Sequence, residues 1–253
     1  MSQHRPLGRR SFVRTGLLTA GALFLPAKTT TSASAATNSG LSIHDRASWG
    51  AAKPLRRVQY SGQPPRKIIV HHTATPNTQE LDLGRAYALA RAMQHYHQQA
   101  LGWSDSGQHF TVSRGGHLLE GREHSLRELR RGEVFIIGSH CANQNTVSIG
   151  IETEGNYCSS APSQTQYAAL VEMCAEICRQ YEIAPGEIFG HRDFNATACP
   201  GDVLYAMLPG LRSDVAQAIV TPCGAWQAIG GPTPLEELVQ SAGPAQGRWP
   251  SIY

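Results

Sequence analysis

The stretch Lys67-Ile68-Ile69-Val70-His71-His72-Thr73 limits the fold more than any other. Three branched apolar residues run without interruption into histidine, and Pro65 and Pro76 bound the run. The alternation of a half-buried strand is missing, so this is a strand buried on both faces, as in sheets flanked by helices. His71 falls at its C-terminal end, where α/β sheets carry ligand sites.

The rest of the chain supplies partners for such a strand. Residues 81–100 repeat Leu81, Leu83, Tyr87, Leu89, Ala90, Met93 and Tyr96 at helical spacing, and Gly102 ends the pattern. Residues 109–113 and 116–120 read as a hairpin across Arg114-Gly115. Residues 134–137 predict a short strand. Residues 147–152 predict another, with Ile149 and Ile151 on one face and Ser148, Gly150 and Glu152 on the other. Ser163 caps a helix that runs to Tyr181, with Gln166 at the capping-box position. Residues 187–190 lead into His191, and residues 202–220 read as a third long helix. This alternation predicts an α/β fold over residues 65–220, a single mixed central β-sheet flanked by helices. Residues 36–64 are polar and Pro-rich and read as an extended arm, with Trp49 docking into a surface groove. Residues 221–253 read as a Gly/Pro-rich C-terminal tail packed on the surface, and no internal repeat is visible.

The N-terminus reads as an export signal. Arg9-Arg10-Ser11-Phe12-Val13-Arg14 is a twin-arginine motif, an apolar run follows over 16–26, and Ala33-Ser34-Ala35 offers small residues for cleavage. Residues 1–35 are therefore expected to be removed. The apolar run is shorter than the ~20 residues of a membrane span, so no stable anchor is expected afterwards. The formal charge of the whole chain is +3. Five of its 22 basic residues and none of its 19 acidic residues lie in 1–35, so residues 36–253 carry a formal −2. That balance argues against a nucleic-acid surface. Six cysteines fit an exported protein. Cys174 and Cys178 lie four apart on one helix, at a Cβ spacing of ~5–6 Å that exceeds the roughly 3.5–4.5 Å of a disulfide. They are not expected to bond to each other; the pairing of the remaining cysteines stays open.

Gly190-His191-Arg192-Asp193-Phe194-Asn195-Ala196-Thr197-Ala198-Cys199-Pro200-Gly201-Asp202 places an imidazole and a thiol eight positions apart. Two histidines and one cysteine make a zinc site with three protein ligands and an open fourth position, which is the catalytic pattern. Each of these residues alone is weak evidence. Their settings add weight: His71 ends a buried strand, and Cys199 precedes a helix start, where the helix N-terminus and a metal both favour thiolate.

Taken together, these segments resemble the superfamily of peptidoglycan recognition proteins and zinc-dependent (type-2) N-acetylmuramoyl-L-alanine amidases. The resemblance rests on Ile69-Val70-His71-His72-Thr73-Ala74, residues 102–110 (Gly-Trp-Ser-Asp-Ser-Gly-Gln-His-Phe), Gly138-Ser139-His140, residues 145–152 and residues 191–201, in the order of that family. It implies bound Zn2+ and hydrolysis of the amide between the lactyl group of N-acetylmuramic acid and L-alanine of the stem peptide. By position it makes His71, His191 and Cys199 the metal ligands, the first histidine of the pair binding metal while His72 packs behind. The chain departs from many relatives at Gln108, where they carry a catalytic tyrosine. Another branch lacks that tyrosine and uses a glutamate at the end of its Ile-Gly-Ile-Glu strand as general base, a position matched by Glu152. That branch carries lysine where this chain has Thr197, and an acidic ligand in place of Cys199. Glu152 is therefore expected to be the base, Thr197 a donor to the oxyanion, and His140, Gln108, Trp103 and His97 to line the substrate groove. The expected partners are peptidoglycan or muropeptides. The protein is expected to be a monomer, exported to the periplasm, the cell wall or the medium. The alternative is a non-catalytic peptidoglycan-binding recognition protein; family members of that kind have lost the cysteine ligand.

Overall fold

A computed structural model describes residues 40–221 and 231–241. The expected signal peptide, Cys223 and most of the tail lie outside the described residues. Six strands form one mixed sheet: β1 (Ile43–His44), β2 (Lys67–His72), β3 (Phe110–Val112), β4 (Leu118–Glu120), β5 (Ser148–Thr153) and β6 (Ile188–Gly190). Their order is β1-β4-β3-β5-β2-β6, and every neighbouring pair is parallel except the β3–β4 hairpin. The α/β class with a single mixed sheet is thus as the alternation of elements predicts.

The pleat sorts β2 into two sets. Ile68 and Val70 join Ile149, Ile151, Phe110, Val112 and Ile188 in the main core. That core is closed by the helices α3 (Gln164–Tyr181) and α5 (Leu208–Val220), which contribute Leu170, Ile177, Leu211 and Val215. His71 points to the opposite face. There α1 (Leu83–His95) covers one end of the sheet through Ala86 and Ala90, which pack with Trp49 and Leu119. Trp49 is fully buried and its indole N–H donates to the Glu120 carbonyl at 2.9 Å, so the arm is anchored through an aromatic side chain.

Several elements differ from the sequence expectations. The helix expected over 81–100 starts at Leu83, where Asp82 accepts the Arg85 N–H, and ends at His95 in a π-helical turn, Tyr96–Ala100. Residues 134–137 make no strand: a single bridge joins Ile136 to Tyr60, flanked by Ser61 N–H to Phe135 O and Ile137 N–H to Gln59 O, both 2.8 Å. The helix expected over 202–220 is two, α4 (Asp202–Ala206) and α5, because Pro209 sits in the first turn of α5. Proline lacks the N–H to continue the earlier ladder and clashes with the carbonyl four residues back. Ser163 caps α3 by accepting the Gln166 N–H at 3.1 Å. The Gln166 side chain does not close a capping box; its amide donates to Val112 O and Glu154 O instead. The short helix α2 (Ser125–Arg131) and the edge strand β1 carry too few apolar residues to show periodicity, and α6 (Leu235–Ser241) buries Leu238 in the main core. Five cysteines, Cys141, Cys158, Cys174, Cys178 and Cys199, are free thiols.

Candidate metal centre

Register assembles the site. Thr111 pairs with Glu152, and Glu152 with His71, across β3, β5 and β2. On the next strand Val70 pairs with Gly190, so His191 follows at the level of His71. The four residues form a row at the C-terminal ends of the parallel strands, on the face away from the main core. Cys199 reaches this row from the loop after β6. That loop is held by Arg192, which pairs with Asp202 at 2.7 Å and donates to Ala198 O, and whose N–H donates to Cys199 O at 3.1 Å.

One ligand atom each from His71, His191 and Cys199 lies within 4.8 Å of the others. The His71 and His191 rings are 4.5 Å apart between centroids, and Cys199 Sγ is 3.6 Å from His71 Nδ1. Each of the three has an outer partner. His71 Nε2 meets His140 Nδ1 at 3.0 Å, His191 Nε2 meets Asn195 Oδ1 at 3.0 Å, and the His72 N–H points at Cys199 Sγ at 3.4 Å. Partners of this kind orient metal-binding side chains.

Burial sets the protonation states. It holds the His71 imidazole well below its usual pKa, helped by the neighbouring His140 and His191, and lowers His191 as well. Both rings are therefore neutral and ready to ligate at neutral pH. Burial, and next Glu152, raise the Cys199 thiol well above its usual value, with the His72 N–H and Arg192 opposing. A buried thiol beside two bare imidazoles becomes thiolate when a cation arrives. The donor set of two nitrogens and one sulfur at this spacing fits zinc, and a site with three protein ligands leaves a position for water.

The centre opens into a cleft of about 600 Å³. His97 and Trp103 form one wall, stacked at 4.8 Å between centroids, with His97 Nδ1 accepting the Gly107 N–H at 3.2 Å. Glu152 and Thr197 also line the cleft, and Thr197 Oγ1 accepts the Cys199 N–H at 3.2 Å, so Thr197 caps the turn that carries Cys199. Gln108 is buried in the wall with its amide N–H donating to Thr111 Oγ1 at 3.0 Å. His72 sits on the core side, accepting the Tyr157 N–H through Nδ1 at 3.2 Å, and burial holds its pKa at about 4. All nine site residues expected from sequence thus line one cleft. Sequence reasoning missed Asn195, although its position four residues after His191 is a local signal, and Asn145, which reaches the site only through the fold.

Residues 61–202 match the family described as N-acetylmuramoyl-L-alanine amidase. The chain belongs to that family. It is 32% identical over 170 residues to a human N-acetylmuramoyl-L-alanine amidase, covering 66% of this chain and 27% of the human one. It is 30% identical over 167 residues to mouse peptidoglycan recognition protein 1, covering 66% and 85% respectively. The chain thus spans about a quarter of the length of the human amidase, and similarly of its pig counterpart, at 26%. Among solved structures it resembles wild-type Drosophila PGRP-LB, with a TM-score of 0.57 at 28% identity over 65% of this chain and 91% of that one. It also resembles a chain of the PGRP-LCa and PGRP-LCx ectodomain complex with tracheal cytotoxin, with a TM-score of 0.58 at 25% identity, covering 66% and 95%.

Proposed function

We infer that the protein is a zinc-dependent amidase that cleaves peptidoglycan stem peptides from N-acetylmuramic acid at L-alanine. The observation that carries this reading is the retention of His71, His191 and Cys199 at ligating distance beside an acidic side chain in one cleft. A recognition protein without catalysis has no need of a thiolate ligand. His71, His191 and Cys199 would hold the metal. Zinc in such a site lowers the pKa of water at its open position and polarises a carbonyl oxygen.

The residues of the chain do the rest. Glu152 shares the row with His71 and lines the cleft, so its carboxylate takes the proton of the attacking water and returns it to the departing alanine nitrogen. Thr197 holds the turn of Cys199 and offers a hydroxyl toward the developing oxyanion. The stacked His97–Trp103 wall is a flat apolar surface for the substrate. Gln108 replaces a proton-transferring tyrosine with an amide that cannot transfer protons, which leaves the acid–base work to Glu152. Export by the twin-arginine route, with action on peptidoglycan outside the cytoplasm, belongs to the same reading.

Muropeptides are incubated with the protein, zinc-loaded or chelator-treated, and the products are weighed by mass spectrometry. Free stem peptide with N-terminal alanine is expected, with loss of activity in chelator and in Cys199→Ala. Glu152→Gln is expected to lose on the order of 10²–10⁴ in rate with zinc still bound. Full activity in Glu152→Gln moves the base elsewhere. Intact muropeptides bound tightly by the zinc-loaded wild type refute the enzyme and leave a recognition protein.

A further inference from the structure

We propose that His140 is the positioning residue that decides which ring nitrogen His71 presents to the metal. The inference rests on the zinc reading above and extends it to a residue that the resemblance places only in the substrate groove.

The chain of hydrogen bonds starts at a backbone carbonyl, which can only accept. Ser148 O faces His140 Nε2 at 3.4 Å, so that nitrogen carries the hydrogen. A neutral imidazole carries one N–H, and a second proton here would put a charge among the buried rings of His71 and His109. His140 Nδ1 is therefore a bare acceptor. It lies 3.0 Å from His71 Nε2, which must then be the N–H of its own ring. His71 Nδ1 is left bare, and it is the nitrogen that faces Cys199 Sγ at 3.6 Å. One carbonyl thus fixes two tautomers in sequence and leaves a lone pair aimed where the thiol is.

His140 is itself held on several sides. Its N–H and that of Cys141 both donate to Asn145 Oδ1, at 2.8 and 3.0 Å. Its ring lies over Gly150, where an added Cβ would come within 2.5 Å of the imidazole Cγ. Its edge meets His109, whose own ring is pinned by the Gly150 N–H at 2.9 Å and by Ile136 O at 2.5 Å. His191 needs no such device, because Asn195, one turn onward, accepts from its Nε2 at 3.0 Å. A strand residue has no neighbour at that spacing, so the corresponding acceptor for His71 comes from 69 residues away.

Zinc affinity is measured on the full chain, by competition with a chromophoric chelator, for wild type, His140→Leu and His140→Asn. Asparagine keeps an acceptor atom two bonds from Cβ, where Nδ1 sits; leucine fills the slot without one. His140→Leu is expected to weaken zinc binding about 10- to 100-fold, and His140→Asn to recover most of the loss. Wild-type affinity in His140→Leu overturns the proposal, and so does equal weakening in the two variants. A variant-free arm covers the case in which leucine prevents folding. Histidine ¹⁵N spectra of the metal-free wild type are expected to show His71 and His140 both as Nε2–H tautomers, and an Nδ1–H form of His71 overturns the proposal. A wild type that takes up no zinc refutes the proposed function, which differs from a wild type whose zinc binding ignores residue 140.

Discussion

Acidification of the metal-free protein tests whether its buried imidazoles are as dry as the fold makes them. Burial holds His72, His97 and His109 at a pKa of about 4, against 6.5 for a free side chain. The unfolded chain takes up these protons near 6.5 and the folded chain only near 4, so between the two the unfolded state binds more protons. Stability is therefore whole above about pH 7 and is lost as pH falls toward 4. The full shift corresponds to about 3 kcal/mol per histidine. Integrated only as far as pH 5 it is about 2 kcal/mol each, or about 6 kcal/mol for the three. His71, His140 and His191 shift in the same direction and add to this. Glu120, raised by burial, acts in the opposite sense and offsets a part. A domain has roughly 5–15 kcal/mol in all, so the metal-free protein should be close to unfolding at pH 5. Urea unfolding in chelator at pH 8, 7, 6 and 5 reads this directly, with the steepest fall between pH 6 and 5. A change of less than about 1 kcal/mol between pH 8 and 5 would refute the reasoning, since it would mean that the folded imidazoles protonate as freely as unfolded ones.

Three further outcomes follow from single contacts. Zinc binding at neutral pH should release one proton from the Cys199 thiol and none from His71 or His191, which are already neutral, with at most a further fraction from water acidified by the metal; calorimetry in two buffers of different ionisation enthalpy counts it. Trp49→Ala should cost about 3–5 kcal/mol in urea unfolding, since the residue is fully buried against α1 and its indole N–H is bonded to Glu120 O. Gly150→Ala should cost about 1–3 kcal/mol by overpacking against the His140 ring and should weaken zinc binding as well, both measured on one preparation.

The legible parts of this chain are those whose signal is local. The apolar run of β2, the alternation of β5 and the cap and periodicity of α3 each lie within one window of sequence. Residues 134–137 carry the same apolar content as a strand, yet Ile136 makes only a bridge to Tyr60, a partner 76 residues away that the segment itself does not announce. Pro209 was in plain sight, but whether it breaks a helix or opens a new one depends on the packing of Leu208 and Leu211 into the core. The site is the less local case. His191 and Cys199 are near in sequence, while the row of Glu152, His71 and His191 exists only through the register of β5, β2 and β6. Nothing in a single strand states its register with another. His140 is the clearest instance: sequence places it near the substrate groove, and only the loss of a side chain at Gly150, one strand away, explains how its ring reaches His71.

That geometry has a thermodynamic consequence. The candidate ligands come from the end of β2 and from a loop more than a hundred residues later, and they share a site only when the sheet has formed. On the zinc reading, metal binds the folded state in preference to the unfolded one, so zinc should raise stability by RT ln(1 + [Zn]/Kd), about 4 kcal/mol at a thousandfold excess over Kd. The increment should be largest at neutral pH and shrink on acidification, as protons compete for the Cys199 thiolate. Urea midpoints with and without zinc at pH 7.5 and 5.5 measure it. Equal midpoints at both pH values, in a chain shown to bind zinc, would mean that the unfolded state holds the metal as well as the folded one. Cys199→Ala separates the two cases, because it removes the sulfur from both states but the preformed triad only from the folded one.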